Sequence, residues 1–189
     1  LYLPPMWAHD GIAEGECMTY SVGFRSPKQD ELARELFLRL SDAPDECPKD
    51  VVYKDPKQTA VAHPGEIPAA LLDFARQALE KALAEPLALE RALGETLSDP
   101  KPGVWFEPAD DFGLIENVRL NQRTRMLYDA QHIFINGESY LAAGRDAELM
   151  RQLADTRQLS SAEVQQLSDD ALQLLSSWVD AGWAHSTAG

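Results

Sequence analysis

The period at which apolar residues recur changes along this chain, and that change constrains what it can fold into. From Leu1 to about Ser26 β-formers dominate: Leu1-Tyr2-Leu3 runs into Pro4-Pro5, and Cys17-Met18-Thr19-Tyr20-Ser21-Val22-Gly23-Phe24 alternates imperfectly. A proline pair cannot sit inside a hydrogen-bonded ladder, so Pro4-Pro5 closes a strand or marks an edge. The glycine-containing turn Asp10-Gly11-Ile12-Ala13-Glu14-Gly15 lies between the two strands. Two strands do not hold a core by themselves, so this segment requires a larger sheet. The chain opens at Leu1, without Met and inside an apolar run, which reads as an excised or truncated piece.

From Pro27 the period becomes helical. Leu32, Leu36, Phe37 and Leu40 recur at three- and four-residue steps and predict one apolar face. The proline-punctuated stretch from Ser41 to Pro64 reads as a long irregular connection. A second helix is expected after Pro68, with a broad stripe of Leu71, Leu72, Ala75, Ala78, Leu79, Ala82 and Leu83. A third is expected after Pro86, carrying Leu89, Leu93 and Leu97. The stripe on the second is wide for a helix covered on one side only, and it predicts a homodimer. Asp99-Pro100-Lys101-Pro102-Gly103 ends the helical region and marks a boundary.

Short strands follow. Arg125 to Asp129, His132 to Ile135 and Glu138 to Ala142 predict a meander, with Asn136-Gly137 as a type I′ hairpin turn. Three helices are then expected: Arg145 to Thr156, one opening with the capping-box sequence Ser160-Ser161-Ala162-Glu163, and Asp169 to Ala181 with Gly182 as its stop. In the last of these Ala171, Leu174, Leu175 and Trp178 share one face. Small strands with three short helices predict a winged-helix-like unit. Trp105-Phe106 reads as an anchor between the C-terminal pieces, and His185 falls in a tail of small residues expected to be mobile.

Charge narrows the function classes. The formal net charge is −14 and the pI about 4.6, which opposes phosphate backbones and suits encounter with a basic partner. The helix after Ser160-Ser161 contains no Lys or Arg, so no direct nucleic-acid contact is expected. No apolar run approaches membrane-spanning length and no signal-peptide pattern is visible, so a cytoplasmic protein is expected. Cys17 and Cys47 show neither metal nor disulfide spacing and read as free thiols. His63 and His132 read as loop and structural residues.

His9 stands between Pro4-Pro5 and a glycine turn, a place from which a strand end can present an imidazole at a barrel mouth. Non-haem iron oxygenases take two His and one carboxylate on one face of the metal. By spacing alone, a lone His beside a turn is more readily a surface or hydrogen-bonding residue.

The wording of the whole segment adds to this. Leu3-Pro4-Pro5, then His9-Asp10-Gly11, then Glu14-Gly15-Glu16-Cys17-Met18-Thr19-Tyr20-Ser21-Val22-Gly23-Phe24-Arg25 resembles the distal end of the JmjC/cupin domain of bacterial ribosomal oxygenases. These are arginine hydroxylases acting on a large-subunit ribosomal protein. The motif likeness covers about the first 27 residues, and the layout carries the rest. The resemblance implies an α+β protein in three parts. Residues 1–27 would be the terminal strands of an incomplete cupin (double-stranded β-helix) barrel, 28–103 a helical dimerisation region, and 104–189 a winged-helix-like domain.

It also implies Fe(II) and 2-oxoglutarate as cofactors of the intact parent, a basic ribosomal protein as substrate, and His9 as the third iron ligand. Thr19 and Ser21 share one strand face, and the resemblance implies that one of them lines the 2-oxoglutarate pocket; a barrel-interior hydroxyl bonded to a neighbour is the equal alternative. Arg25 reads either as a substrate or co-substrate contact or, more readily, as a strand-ending residue paired with a surface carboxylate. Trp7 reads as a groove or barrel-edge residue. The family's H-x-D pair lies upstream, and no H-x-D occurs around His9, His63, His132 or His185. His9 and Asp10 are adjacent and would point to opposite faces. No catalytic residue beyond the single metal ligand is expected, so the chain alone should be inactive. The competing reading is a non-catalytic, dimeric winged-helix interaction module.

Overall fold

The computed structural model describes residues 2–4, 6–18, 20, 22, 26–42, 51–56, 59, 61, 63–108 and 115–187. The helical period after Pro27 produces α1 (Gln29–Asp42), with Asp30 and Glu31 at its positive end and Arg39 in its last turn. Pro68 precedes α2 (Ala69–Ala84), and α3 (Ala88–Ser98) follows a short break. Downstream come β1 (Asn117–Leu120), β2 (Met126–Tyr128), β3 (His132–Ile135), β4 (Glu138–Leu141) and α4 (Gly144–Thr156). The chain closes with β5 (Gln158–Leu159), α5 (Ser161–Val164), α6 (Asp169–Asp180) and β6 (Ala184–Thr187).

The strands form two antiparallel sheets, one ordered β2-β3-β4 and the other β5-β1-β6. The first is the expected meander. Asn136 and Gly137 have φ of 48° and 90°, the two positive values that a type I′ turn requires. The second sheet joins segments far apart in sequence: Val118 pairs Leu159 on one side and Ser186 on the other. Helices α4, α5 and α6 close over the sheets. Val118, Ile133, Ile135, Leu149, Leu153, Leu159, Leu175 and Trp178 are almost fully buried together. Gly182 ends α6 at φ 73°, and a Cβ there would overlap the carbonyl of Glu107, so both backbone angle and space select glycine.

Two expectations, for α3 and for His185, are corrected, and the strands expected over 1–27 fall partly on residues outside the described ones. Among the described residues of 1–26 no strand forms, and Tyr2, Trp7, Tyr20 and Val22 are exposed. The physical reason is the one stated for the segment: no further strand among the described residues offers it a ladder. In α3 the inward face is Ala88, Ala92, Gly94 and Ser98, while Leu89 is 47% exposed. Small residues win because α3 lies flat on the meander, where a Cβ on Gly94 would overlap the ring of Phe134. Finally, His185 belongs to β6, opposite Arg119 of β1, and is not part of a loose tail.

The helical region is fastened to the meander by polar contacts. Gly137 N–H donates to Ser98 Oγ at 3.1 Å and Ser139 Oγ donates to Glu95 at 2.6 Å. Arg39 reaches from α1 to Asp99 at 2.8 Å and donates to the Gly137 carbonyl at 3.3 Å. By contrast, no residue of α2 is buried, and Leu72, Leu79 and Leu83 are at least half exposed. No helix among the described residues is long and apolar enough to cross a membrane.

Candidate functional site

Two regions carry chemistry: the N-terminal segment around His9 and the outer face of the C-terminal unit. At the first, the Trp7 N–H donates to the Pro4 carbonyl at 3.3 Å, turning the chain just before His9. His9 is exposed. Among the described residues no group of three or more His, Cys, Asp or Glu side chains is placed to hold a metal ion. His9 therefore belongs to no three-ligand group, and the described residues do not fit an iron centre by themselves. Thr19, Ser21, Arg25 and Cys47 lie outside the described residues. Cys17 is an exposed free thiol.

The other histidines separate clearly. His63 lies at an exposed turn whose carbonyl accepts from Glu66 N–H at 3.0 Å. His132 is 4% exposed, stacks on Phe134 and holds its Nδ1 at 3.1 Å from Asp129. Asp129 also accepts the N–H groups of Gln131 and His132. Burial pushes the Asp129 carboxyl up, but those donors and the imidazole outweigh it and leave it below its ordinary range. This arrangement pins the β2–β3 loop, a structural role as the meander pattern suggested.

On the C-terminal unit, Ser160 caps α5 in a reciprocal box with Glu163. The donors from Ser160, backbone first and hydroxyl second, hold the Glu163 carboxyl below its usual value, with help from Gln152. Tyr140 sits edge-on to Trp178, and burial together with its hydrogen bond to Glu138 pushes its hydroxyl up to about 12. Phe106 packs edge-on against Trp183, the anchor expected of Trp105-Phe106, but Trp105 itself is 68% exposed.

The sequence reading missed the exposed face of the β5-β1-β6 sheet. Arg119 pairs with His185 on one side and Gln158 on the other, and all three side chains are exposed. The alternation Asn117-Val118-Arg119-Leu120, with Val118 and Leu120 buried, was the available signal.

A family model of the ROXA-like winged helix matches residues 77–185, which is more than half of the chain. The chain belongs to the ROXA-like winged-helix family. A JmjC domain model matches residues 1–32, the stretch that contains His9. The ROXA-like chain is similar to the ribosomal protein uL16 3-hydroxylase of Escherichia coli, with 25% identity over 97% of this chain and 51% of that protein. It thus spans about half the length of this curated relative. Among solved structures it resembles E. coli YcfD, a ribosomal oxygenase, in complex with cobalt and succinic acid. That likeness has a TM-score of 0.63 and 20% identity, over 88% of this chain and 48% of that one. A second YcfD structure, in complex with cobalt and 2-oxoglutarate, gives a TM-score of 0.62 at 19% identity over the same shares. These likenesses show a shared fold. The two family matches and the curated relative place the likeness of this chain in one order, a JmjC stretch at residues 1–32 followed by the ROXA-like winged helix over 77–185.

Proposed function

We propose that this chain is the part of an Fe(II)- and 2-oxoglutarate-dependent oxygenase that completes the iron site and carries the accessory domains, in an enzyme that hydroxylates an arginyl side chain of a large-subunit ribosomal protein. The observation that carries this reading is the JmjC match over residues 1–32, joined to the ROXA-like winged helix in one chain. In this reading His9 is the third iron ligand and one of Thr19 and Ser21 lines the co-substrate pocket. Residues 1–27 are the barrel's closing strands, 28–103 the dimerisation region and 104–189 the winged-helix-like domain. A cytoplasmic location follows from the ribosomal substrate.

Iron and 2-oxoglutarate supply the oxidation. This chain supplies one imidazole, and the described residues bring together no group of three ligands, so the chain alone is inactive in this reading. The acidic balance of −14 favours a basic substrate by long-range attraction. The exposed leucines of α2 supply the homodimer contact. Neither α5 nor α6 contains Lys or Arg, so insertion of a recognition helix into duplex DNA lacks its usual cations.

The test compares the intact parent enzyme with this chain. Turnover of 2-oxoglutarate and hydroxylation of a basic ribosomal protein should be seen for the parent, lost in its His9→Ala variant, and absent for the chain alone. Parent turnover unaffected by His9→Ala would overturn the assignment of His9. Hydroxylation of a residue other than arginine would overturn the substrate.

A further inference from the structure

In a chain of net charge −14, guanidinium groups are expected to find carboxylates. Arg125, Arg151 and Arg157 donate to backbone carbonyls instead, and one surface gathers cations of this kind. Arg119 is exposed on the central strand β1, and its guanidinium makes no hydrogen bond or ion pair with any described residue. It stands between His185 of β6 and Gln158 of β5, so three uncommitted donor side chains form a row across the sheet. Arg123 lies beside them and spends its guanidinium on a carbonyl, that of Trp105, at 3.2 Å. Glu107, Arg119, Gln122, Arg123 and His185 share one open concavity of about 480 Å³. Along 104–107 Val104 and Phe106 are half-buried, while Trp105 and Glu107 are exposed. The exposed indole of Trp105 thus belongs to the residue whose carbonyl Arg123 holds.

We propose that this face, formed by Trp105, Arg119, Arg123, Gln158 and His185, binds single-stranded RNA. The guanidiniums and the imidazole meet the phosphates, and Trp105 offers a stacking platform for a base. Glu107 opposes a phosphate but accepts from a base amino group or a ribose hydroxyl. That combination favours a nucleic acid over a plain polyanion or an acidic peptide. The face is separate from α5, the helix whose lack of Lys and Arg led to the expectation of no direct nucleic-acid contact. The proposal does not depend on the iron site.

The test is fluorescence anisotropy of a short labelled oligocytidine RNA against this chain, at low ionic strength and then over a salt series. Arg119→Glu should weaken binding by about tenfold and flatten the salt slope. Trp105→Ala should weaken it by about fivefold or more and abolish RNA-induced quenching of tryptophan emission. Arg34→Glu, an equal change of charge on α1, should alter affinity by less than about twofold. Circular dichroism confirms folding, and Arg119→Gln replaces the reversal if Arg119→Glu unfolds. The proposal fails if the chain shows no binding, or if Arg34→Glu costs as much as Arg119→Glu. It also fails if Trp105→Ala leaves affinity unchanged, or if polyglutamate displaces the RNA as well as unlabelled RNA does.

Discussion

Gly94 of α3 lies directly beneath the ring of Phe134 in β3, so close that a Cβ on Gly94 would overlap three ring carbons. Helix propensity alone predicts that Gly94→Ala stabilises by about 1 kcal/mol. Overpacking predicts a cost of about 1–3 kcal/mol, and Phe134 is buried with nowhere to turn. We expect net destabilisation in urea denaturation. In a Phe134→Leu background the same substitution should cost less, with a coupling of at least about 0.5 kcal/mol. Additive effects would mean that the ring yields freely.

Arg39 joins α1 to the rest of the fold through Asp99 at 2.8 Å, Glu95 at 3.7 Å and the Gly137 carbonyl at 3.3 Å. Asp99 is well exposed, so solvent screening keeps the ion-pair contribution small. Arg39→Ala should cost about 1 kcal/mol. Amide exchange should accelerate in α1 before it does in the β2-β3-β4 sheet. Arg39→Lys should recover only part of the loss, because an ammonium cannot span three acceptors as the guanidinium fork does.

Asp129 and Glu163 both have folded-state carboxyls held below their ordinary values of 3.8 and 4.5. For such groups the stabilisation is fully present above the unfolded pKa and is lost as pH falls through the folded pKa. Denaturation midpoints should therefore be flat above about pH 5 and fall below it. Asp129→Asn and Glu163→Gln should each make that fall shallower while lowering the plateau. An unchanged acid limb in both variants would disprove the linkage.

If the exposed face of α2 is the dimer contact, Leu79→Glu should make the protein monomeric across the concentration range where the parent chain dimerises. Light scattering after size exclusion reads this directly. Because Leu79 is 56% exposed, the helical signal should be unchanged.

What could be read in advance, and what could not, follows from the range of the forces involved. Asn136-Gly137 and the Ser160…Glu163 box were legible because each answers a local backbone demand within a few residues. The stripe of α2 was legible as periodicity. The inward face of α3 was not, because its small residues answer the size of Phe134 in a distant strand, and spacing within a helix carries no information about its partner. Strand β6 was missed because Ala184-His185-Ser186 has little β propensity of its own and is held by its pairing with β1. Of the candidate site, His9 was legible only as part of a longer wording; its chemistry needs ligands that the described residues do not bring to it. The Arg119 row was hidden for the same reason as β6, since it exists only once two remote strands align.

The grip of Ser98 and Arg39 on Gly137 has a consequence for the order of synthesis. Both helices that make it are synthesised before residue 137, and Arg39 precedes its acceptor by 98 positions. During translation Arg39 can reach Asp99 and Ser98 can reach the Glu95 carbonyl, but their bonds to Gly137 wait until the hairpin forms. The early helices are therefore completed by a late arrival. Severing the chain between residues 103 and 104 would take from each of them the partner that finishes it.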